Sequence, residues 1–194
     1  MRNQARPNYS LELSSVLHAD GPAEGLGGEL MTFGRFIGSW DLVWHGANDG
    51  AQAIGELHFG WVLGGRAVQD VWIVPGPGEP GTDLAPRAFH GSTMRLYDRT
   101  LGALCSTWVE PVNGRVRKFI GREQDDEIVL ISLDGDPPLR WRFTEITRDS
   151  FTWLAQLARV ARARGSSHAA SRSAETGGLR FRASSPVRGS ARPP

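Results

Sequence analysis

Apolar and polar residues alternate along most of the chain from Phe33 onward, and this period of two restricts the fold more than any other feature. Such alternation is typical of β-strands, because successive side chains of a strand point to opposite faces of the sheet. It occurs in SWDLVWHG, ELHFGWVLGG, RAVQDVWIV, FHGSTMRLYD, ALCSTWVEP, GRVRKFIGRE, DEIVLISLD, LRWRFTEIT and SFTWLAQ. The pattern predicts about nine strands with no helix between them.

The links between these runs are short and made of turn residues, such as DRTLG, PVNG and DGDPP. Parallel neighbours need crossover connections of about a dozen residues, so short links favour antiparallel neighbours. The pair Gly64-Gly65 between two of the runs predicts a tight hairpin turn. A sheet of this many antiparallel strands usually curls and closes. We therefore expect an all-β, antiparallel up-and-down barrel, with a β-sandwich as the alternative.

Composition divides the chain into three parts. Residues 1–30 have little periodicity and are expected to form a flexible lead, in which LELSSVLHA suits a short helix. The barrel is predicted over residues 31–156. Residues 157–194 carry eight arginines and one acid, a net charge of +7, whereas the first 156 residues carry a net charge of −6. Because this last segment has little apolar surface to bury, it is predicted to be a disordered tail.

Two questions about the tail stay open at the level of sequence. The run SFTWLAQ resembles the first half of a hairpin whose partner strand is missing, which leaves open a barrel that is incomplete at its C-terminal end. The tail itself is a dispensable solvated segment, an out-of-frame ending, or a basic arm that binds nucleic acid or anionic membrane through charge. Nucleic acid is expected as a partner only through this tail.

The chain has one cysteine, Cys105, so it has no intrachain disulfide, and we expect a cytoplasmic protein in which Cys105 is a small buried residue. No stretch approaches the ~20 apolar residues of a membrane span, and the N-terminus lacks the apolar core of a secretory signal. No GxSxG, HExxH, CxxC or P-loop motif is present. Because the histidines outside the tail lack metal-like spacing, we predict no metal and no cofactor; they are His18, His45, His58 and His90.

Polar residues inside aromatic strands are the most informative candidates for a site. Period-two geometry places Arg66, Asp70 and Trp72 on one face, either as a ligand-facing group or as exposed cross-strand charges. Seven tryptophans indicate an aromatic-lined cavity or a filled core. An error of one residue in the assumed register exchanges the inward and outward faces of a strand. The predicted ligand-binding residues are Trp40, His58, Trp61, Arg66, Asp70, Trp72, His90, Arg95, Tyr97 and Trp108.

Several of these motifs occur in an order that resembles a known family. FIGSWDLVW, FGWVLGGRAVQDVW, HGSTMRLYD and STWVEP together resemble an uncharacterised bacterial family of calycin-like barrels, lipocalin-type or fatty-acid-binding-protein-type in shape. Gly38 and Trp40 are similar to the first-strand signature of calycins, in which the tryptophan plugs one barrel end. The resemblance covers residues 31–156 and implies an internal cavity but no established reaction. Haem-binding relatives of this shape use a late histidine. Here that histidine is His168, in the tail, so haem is not expected.

We therefore expect a barrel that binds a small hydrophobic molecule. The first alternative is an enzyme acting on a small hydrophobic metabolite, with His58 or His90 as general base beside Asp70 or Arg95. The second alternative is an interaction protein that acts through its basic tail. The sequence specifies neither the ligand nor the oligomeric state.

Overall fold

The computed structural model describes residues 9–45, 52–76, 88–135, 137–157 and 175–183. Two helices lie near the N-terminus of this part of the chain, and everything after them that is regular is strand. Helix α1 overlaps the run that the sequence suggested as a short helix. The elements are α1 Tyr9–Leu17, β1 His18–Ala19, α2 Gly27–Gly34, β2 Gly38–His45, β3 Gln52–Val62, β4 Ala67–Val74, β5 Phe89–Asp98, β6 Ala103–Glu110, β7 Arg115–Gln124, β8 Glu127–Ser132, β9 Leu139–Thr144, β10 Ser150–Leu157 and β11 Glu175–Ala183.

Strands β2 to β11 form a closed antiparallel barrel. Each pairs with the next along the chain, and β11 pairs with β2, which completes the ring. In that closing pair Leu42 lies opposite Phe181. The predicted all-β, antiparallel up-and-down barrel is confirmed, and the short links hold neighbouring strands together as expected. Closure removes the exposed strand edges that an open sheet of this size would leave.

The barrel is not incomplete at its C-terminal end, a possibility that the sequence left open, because β11 pairs with β10 on one side and with β2 on the other. In β11, Leu179 and Phe181 point inward and are each only 1% exposed. Arg180 and Arg182 alternate with them on the exposed outer face. Residues 175–183 are therefore a barrel strand with a cationic outer face and not part of a disordered tail. The remaining tail residues, 158–174 and 184–194, lie outside the described residues.

Part of the segment predicted as a flexible lead is attached to the barrel. Strand β1 pairs with β3, and the Ala23 N–H donates to the Gly65 carbonyl oxygen at 2.8 Å. A Cβ at Gly65 would lie 2.2 Å from the Gly21 carbonyl oxygen, so the Gly-Gly turn is also where this segment rests. The prediction of a flexible lead is therefore wrong from His18 onward. Residues 1–8 lie outside the described residues.

Helix α2, which the sequence pattern did not indicate, closes one end of the barrel, called here the plugged end. Its Leu30 and Phe33 are fully buried, since residues three apart share one helix face. Phe33 packs edge-on against Phe143 at 5.1 Å between ring centroids, and Phe36, just after the helix, lies 4.6 Å from Phe151. These aromatic contacts join the helix to β9 and β10 and make the plug part of the core.

Candidate ligand-binding site

Four tryptophans from four strands form a closed ring inside the barrel. Trp72 on β4 contacts Trp108 on β6 at 6.0 Å between ring centroids, and Trp108 contacts Trp141 on β9 at 6.1 Å. Trp141 contacts Trp153 on β10 at 5.2 Å, and Trp153 returns to Trp72 at 5.5 Å. The interplanar angles run from 66° to 81°. Edge-to-face packing of this kind is favoured by the aromatic quadrupole.

The ring lies away from the plug, at the end of the barrel where β6 ends and β7 begins, called here the tryptophan end. Trp153 is two residues beyond Phe151, and Trp141 is two residues before Phe143, so both sit one layer of side chains away from the rings that contact the plug. All four tryptophans occupy inward positions of their strands. Period-two geometry thus stacks a tryptophan layer on a phenylalanine layer.

The four tryptophans line an open pocket of about 120 Å³, referred to below as the four-tryptophan pocket. Its lining is completed by Glu110 and Arg115. Pockets for drug-sized ligands are larger, about 300–1,000 Å³. A cavity of ~150 Å³ in another protein holds a single benzene molecule. The pocket therefore has room for one small ring or one compact branched group, and it reaches the surface at the exposed Arg115.

Glu110 places a buried carboxylate in the wall of this pocket. It faces inward two residues after Trp108 and is 1% exposed. Its two oxygens accept hydrogen bonds from the Asn113 backbone N–H at 3.1 and 3.2 Å, and Oε2 also accepts one from the Asn113 side-chain amide at 2.8 Å. The same amide donates to the Ala88 carbonyl oxygen at 3.0 Å. The turn between β6 and β7 thus holds the carboxylate rigidly.

Two further polar groups belong to this end. Arg115 lies directly opposite Glu110 in the pairing of β6 with β7, but its side chain is exposed and the pair is not an ion pair. Within the described residues, no Arg, Lys or His forms an ion pair with Glu110. The Trp153 indole Nε1 is buried and makes no hydrogen bond with any described residue. Trp153, which lines the pocket, thus retains an N–H donor that no described residue accepts.

A second polar group lies deeper in the barrel, between the tryptophan layer and the plug. Arg95 Nη1 is 2.6 Å from Asp70 Oδ2, and the two side chains are 1% and 0% exposed. Asp70 Oδ1 also accepts the backbone N–H of Thr93 at 2.8 Å. The guanidinium lies over the ring of Phe33, 4.2 Å from its centroid. Burial lowers the pKa of Arg95, and the Asp70 carboxylate opposes that shift.

The partner of Asp70 is therefore Arg95 and not Arg66. Asp70 and Trp72 do face inward together, as the period of two predicted. Arg66, however, precedes the first residue of β4 and lies in the hairpin turn, where its exposed Nη1 is 3.4 Å from the Gly64 carbonyl oxygen. A turn residue does not follow the alternation of the strand after it. The expected grouping of Arg66 with Asp70 and Trp72 does not occur.

The predicted histidines lie on the outer face of the barrel. His58 Nδ1 is 2.9 Å from Ser39 Oγ, and its Nε2 is 3.0 Å from Glu56 Oε2. His90 is exposed on β5. Both rings are thus separated by the barrel wall from Asp70 and Arg95, which face inward. The paired arrangement that the enzyme hypothesis requires does not occur.

The other predicted site residues are inside the barrel, but most lie outside the pocket. Trp40 is at the plugged end, where its Nε1 donates to the Phe36 carbonyl oxygen at 2.7 Å. Trp61 packs against Gly34 of α2, where an added Cβ would lie 2.5 Å from its ring. Tyr97 is partly buried and follows Arg95 on the same face of β5. Of the predicted residues, Trp72 and Trp108 line the pocket.

Four pocket residues were absent from the predicted set: Glu110, Arg115, Trp141 and Trp153. Glu110 carried a usable signal, because it is two residues from Trp108 and shares its strand face. For Trp141 and Trp153, the only signal in the sequence that they belong to the pocket was that they are tryptophans. Which face of a strand points inward, and which strands lie across the barrel from one another, depends on register and closure.

No group of three or more His, Cys, Asp or Glu side chains in the described ranges is arranged to hold a metal ion. No helix in that part of the chain is long and apolar enough to cross a membrane. A scan against protein-family models finds no match for this chain, and a search of curated proteins finds no relative.

Fold and site together define the class of protein. It is a closed ten-stranded antiparallel β-barrel with a helical plug at one end and an aromatic pocket toward the other. This architecture is compatible with the calycin-like shape that the sequence resemblance implies.

Proposed function

We propose that this protein binds a small molecule with a compact apolar body in the four-tryptophan pocket. The observation that carries the proposal is a set of four mutually contacting indoles that line a pocket of about 120 Å³. A ligand that enters this pocket removes apolar indole surface from contact with water, and burial of apolar surface stabilises the complex.

The lining restricts the ligand. Four indoles provide most of the contact area, so the buried part of the ligand is apolar and no larger than a single ring or a branched alkyl group. The unpaired N–H of Trp153 suits a ligand with one hydrogen-bond acceptor. We further propose that the protein is a bacterial calycin-like barrel that acts in the cytoplasm, from the motif order and the lone Cys105. Binding of nucleic acid through the basic tail stays a prediction.

Binding is tested with the full chain and small probes that match the pocket: indole, benzyl alcohol and 3,3-dimethylbutan-1-ol. Isothermal titration calorimetry is the primary readout, because it does not depend on the tryptophans that the variants remove. We expect at least one probe to bind the wild type and Trp153→Leu to weaken that probe at least tenfold. Trp40→Phe is the matched control, because it alters a buried tryptophan outside the pocket and leaves affinity unchanged. The proposal fails if no probe binds, or if Trp153→Leu binds as tightly as the wild type.

A further inference from the structure

We infer that the ligand of the four-tryptophan pocket is an organic cation of the quaternary ammonium type. This inference rests on the proposed function and adds the charge of the ligand to it. It follows from a buried carboxylate that forms no ion pair with a described residue, from the aromatic composition of the wall and from the scarcity of hydrogen-bond acceptors.

Glu110 places a negative charge in the pocket wall. Its carboxylate is 1% exposed, and no described residue forms an ion pair with it. Its hydrogen bonds come from Asn113, whose backbone and amide N–H groups are neutral donors. These bonds fix the carboxylate but leave its charge without a counter-ion. A cation held in the pocket would supply one.

The indoles of the pocket wall also favour a cation. Indole is the aromatic side chain that attracts cations most strongly, because its ring face is electron-rich. Four indoles line this pocket, so a cation held there lies beside several of these rings. A neutral ligand of the same shape would gain the apolar contact but not this electrostatic attraction. The wall and the carboxylate therefore favour the same sign of charge.

The number of hydrogen-bond acceptors in the pocket determines which kind of cation it suits. A primary ammonium has three N–H donors that need acceptors when it leaves water. The pocket offers one acceptor, a carboxylate already bonded to Asn113, while its indoles and the Arg115 guanidinium offer none. A quaternary ammonium has no N–H donors and carries its charge beneath methyl groups. It therefore matches a small apolar pocket with a single anionic wall.

The positive charge of Arg115 acts against the negative charge of Glu110 in attracting a cation. Both line the pocket, but the Arg115 side chain is exposed, whereas Glu110 is buried. Water and salt screen an exposed charge strongly and a buried charge weakly. The carboxylate therefore dominates the potential inside the pocket. Arg115→Gln is expected to leave cation affinity unchanged or to raise it about twofold.

The test compares choline with its neutral isostere 3,3-dimethylbutan-1-ol, by calorimetry on the full chain. The two probes have the same shape and hydroxyl and differ in the charged nitrogen. We expect choline to bind the wild type at least tenfold more tightly. Glu110→Gln removes the charge, while its amide oxygen can still accept the bonds from Asn113. It should abolish the preference and leave the affinity for the alcohol unchanged. Glu123→Gln, at an exposed carboxylate outside the pocket, is the matched control and should keep the preference.

The outcomes separate this inference from the proposed function. If both probes bind wild type equally, or the alcohol binds more tightly, the pocket is a binding site but the inference is overturned. If neither probe binds, both are overturned. If Glu110→Gln fails to fold, the wild-type comparison still decides the matter, because it needs no variant. A preference for choline that persists in a folded Glu110→Gln variant also overturns the inference.

Discussion

The buried ion pair between Asp70 and Arg95 gives the sharpest prediction about stability. Asp70→Asn keeps the size of the side chain and an oxygen that accepts the Thr93 N–H. The substitution therefore removes the charge of Asp70 and little else. It leaves the guanidinium of Arg95, 1% exposed, without its counter-ion.

Removing one partner of a buried ion pair costs about 3–5 kcal/mol, because the other charge stays buried and uncompensated. The contact of Arg95 with Phe33, about 1–2 kcal/mol, is present in the wild type and in the variant, so it does not replace the lost counter-ion. With a urea m-value of about 2 kcal/mol per molar, the unfolding midpoint should fall by roughly 1.5–2.5 M. The double variant Asp70→Asn with Arg95→Met removes both charges. It should recover most of the loss.

Urea titration at neutral pH, followed by tryptophan fluorescence and by circular dichroism, measures these midpoints. Glu127→Gln is the control, since it breaks the ion pair between Glu127 and Arg142. The side chain of Arg142 is 24% exposed and that of Glu127 is 23% exposed. A partly exposed pair contributes less than a buried one, so this control should lose less than about 1 kcal/mol at neutral pH. The reasoning is refuted if Asp70→Asn is within 1 kcal/mol of the wild type, or if the double variant is no more stable than the single one.

Three other variants test separate features. A hydrogen bond from Arg142 lowers the pKa of Glu127 from its ordinary value of 4.5, so its stabilisation is complete above that value and is lost as the pH falls through the lowered pKa. Glu127→Gln should flatten that part of the acid-unfolding curve. Gly91→Ala should destabilise the barrel by about 1–3 kcal/mol and weaken probe binding, because its Cβ would lie 2.4 Å from the Trp108 ring. Phe181→Ala should cost about 3–5 kcal/mol if β11 is part of the core.

Each of these variants has a check. Urea midpoints between pH 3 and 7 measure the contribution of Glu127 to acid unfolding. A pH profile in Glu127→Gln that matches the wild type would contradict that contribution. Gly60→Ala is the control for Gly91→Ala, since nothing lies within 4 Å of its Cβ, and equal losses in both would show that glycine flexibility is responsible. Arg180→Ala, on the outer face of β11, is the control for Phe181→Ala and should stay within about 0.5 kcal/mol. Wild-type stability in Phe181→Ala would contradict the closure of the barrel by β11.

Alternation predicted the strands and their inner faces where a strand was continuous. It placed Asp70 and Trp72 inside the barrel, and both are there. It could not identify the partner of Asp70, because Arg95 reaches it from the neighbouring strand through a register that no local pattern encodes. Arg66 was grouped with Asp70 only because the strand was assumed to begin one residue earlier than it does.

The last strand was missed for a different reason. Leu179, Arg180, Phe181 and Arg182 alternate as a half-buried strand should, but they lie in a segment rich in arginine, alanine and serine. Composition averaged over the segment predicted disorder and hid a short local pattern. The site was predicted only in part for a related reason. The tryptophans that form the pocket come from β4, β6, β9 and β10, and only barrel closure brings them together.

The pairing of β2 with β11 has a consequence for biosynthesis. It joins the first long strand of the barrel to the last, so the contact with the greatest separation along the chain is the one that completes the fold. Folds dominated by such distant contacts have high contact order and form slowly. During translation, β2 and β10 both have unpaired edges until residues 175–183 leave the ribosome. A chain without those residues would carry two unpaired strand edges, which can pair with other chains.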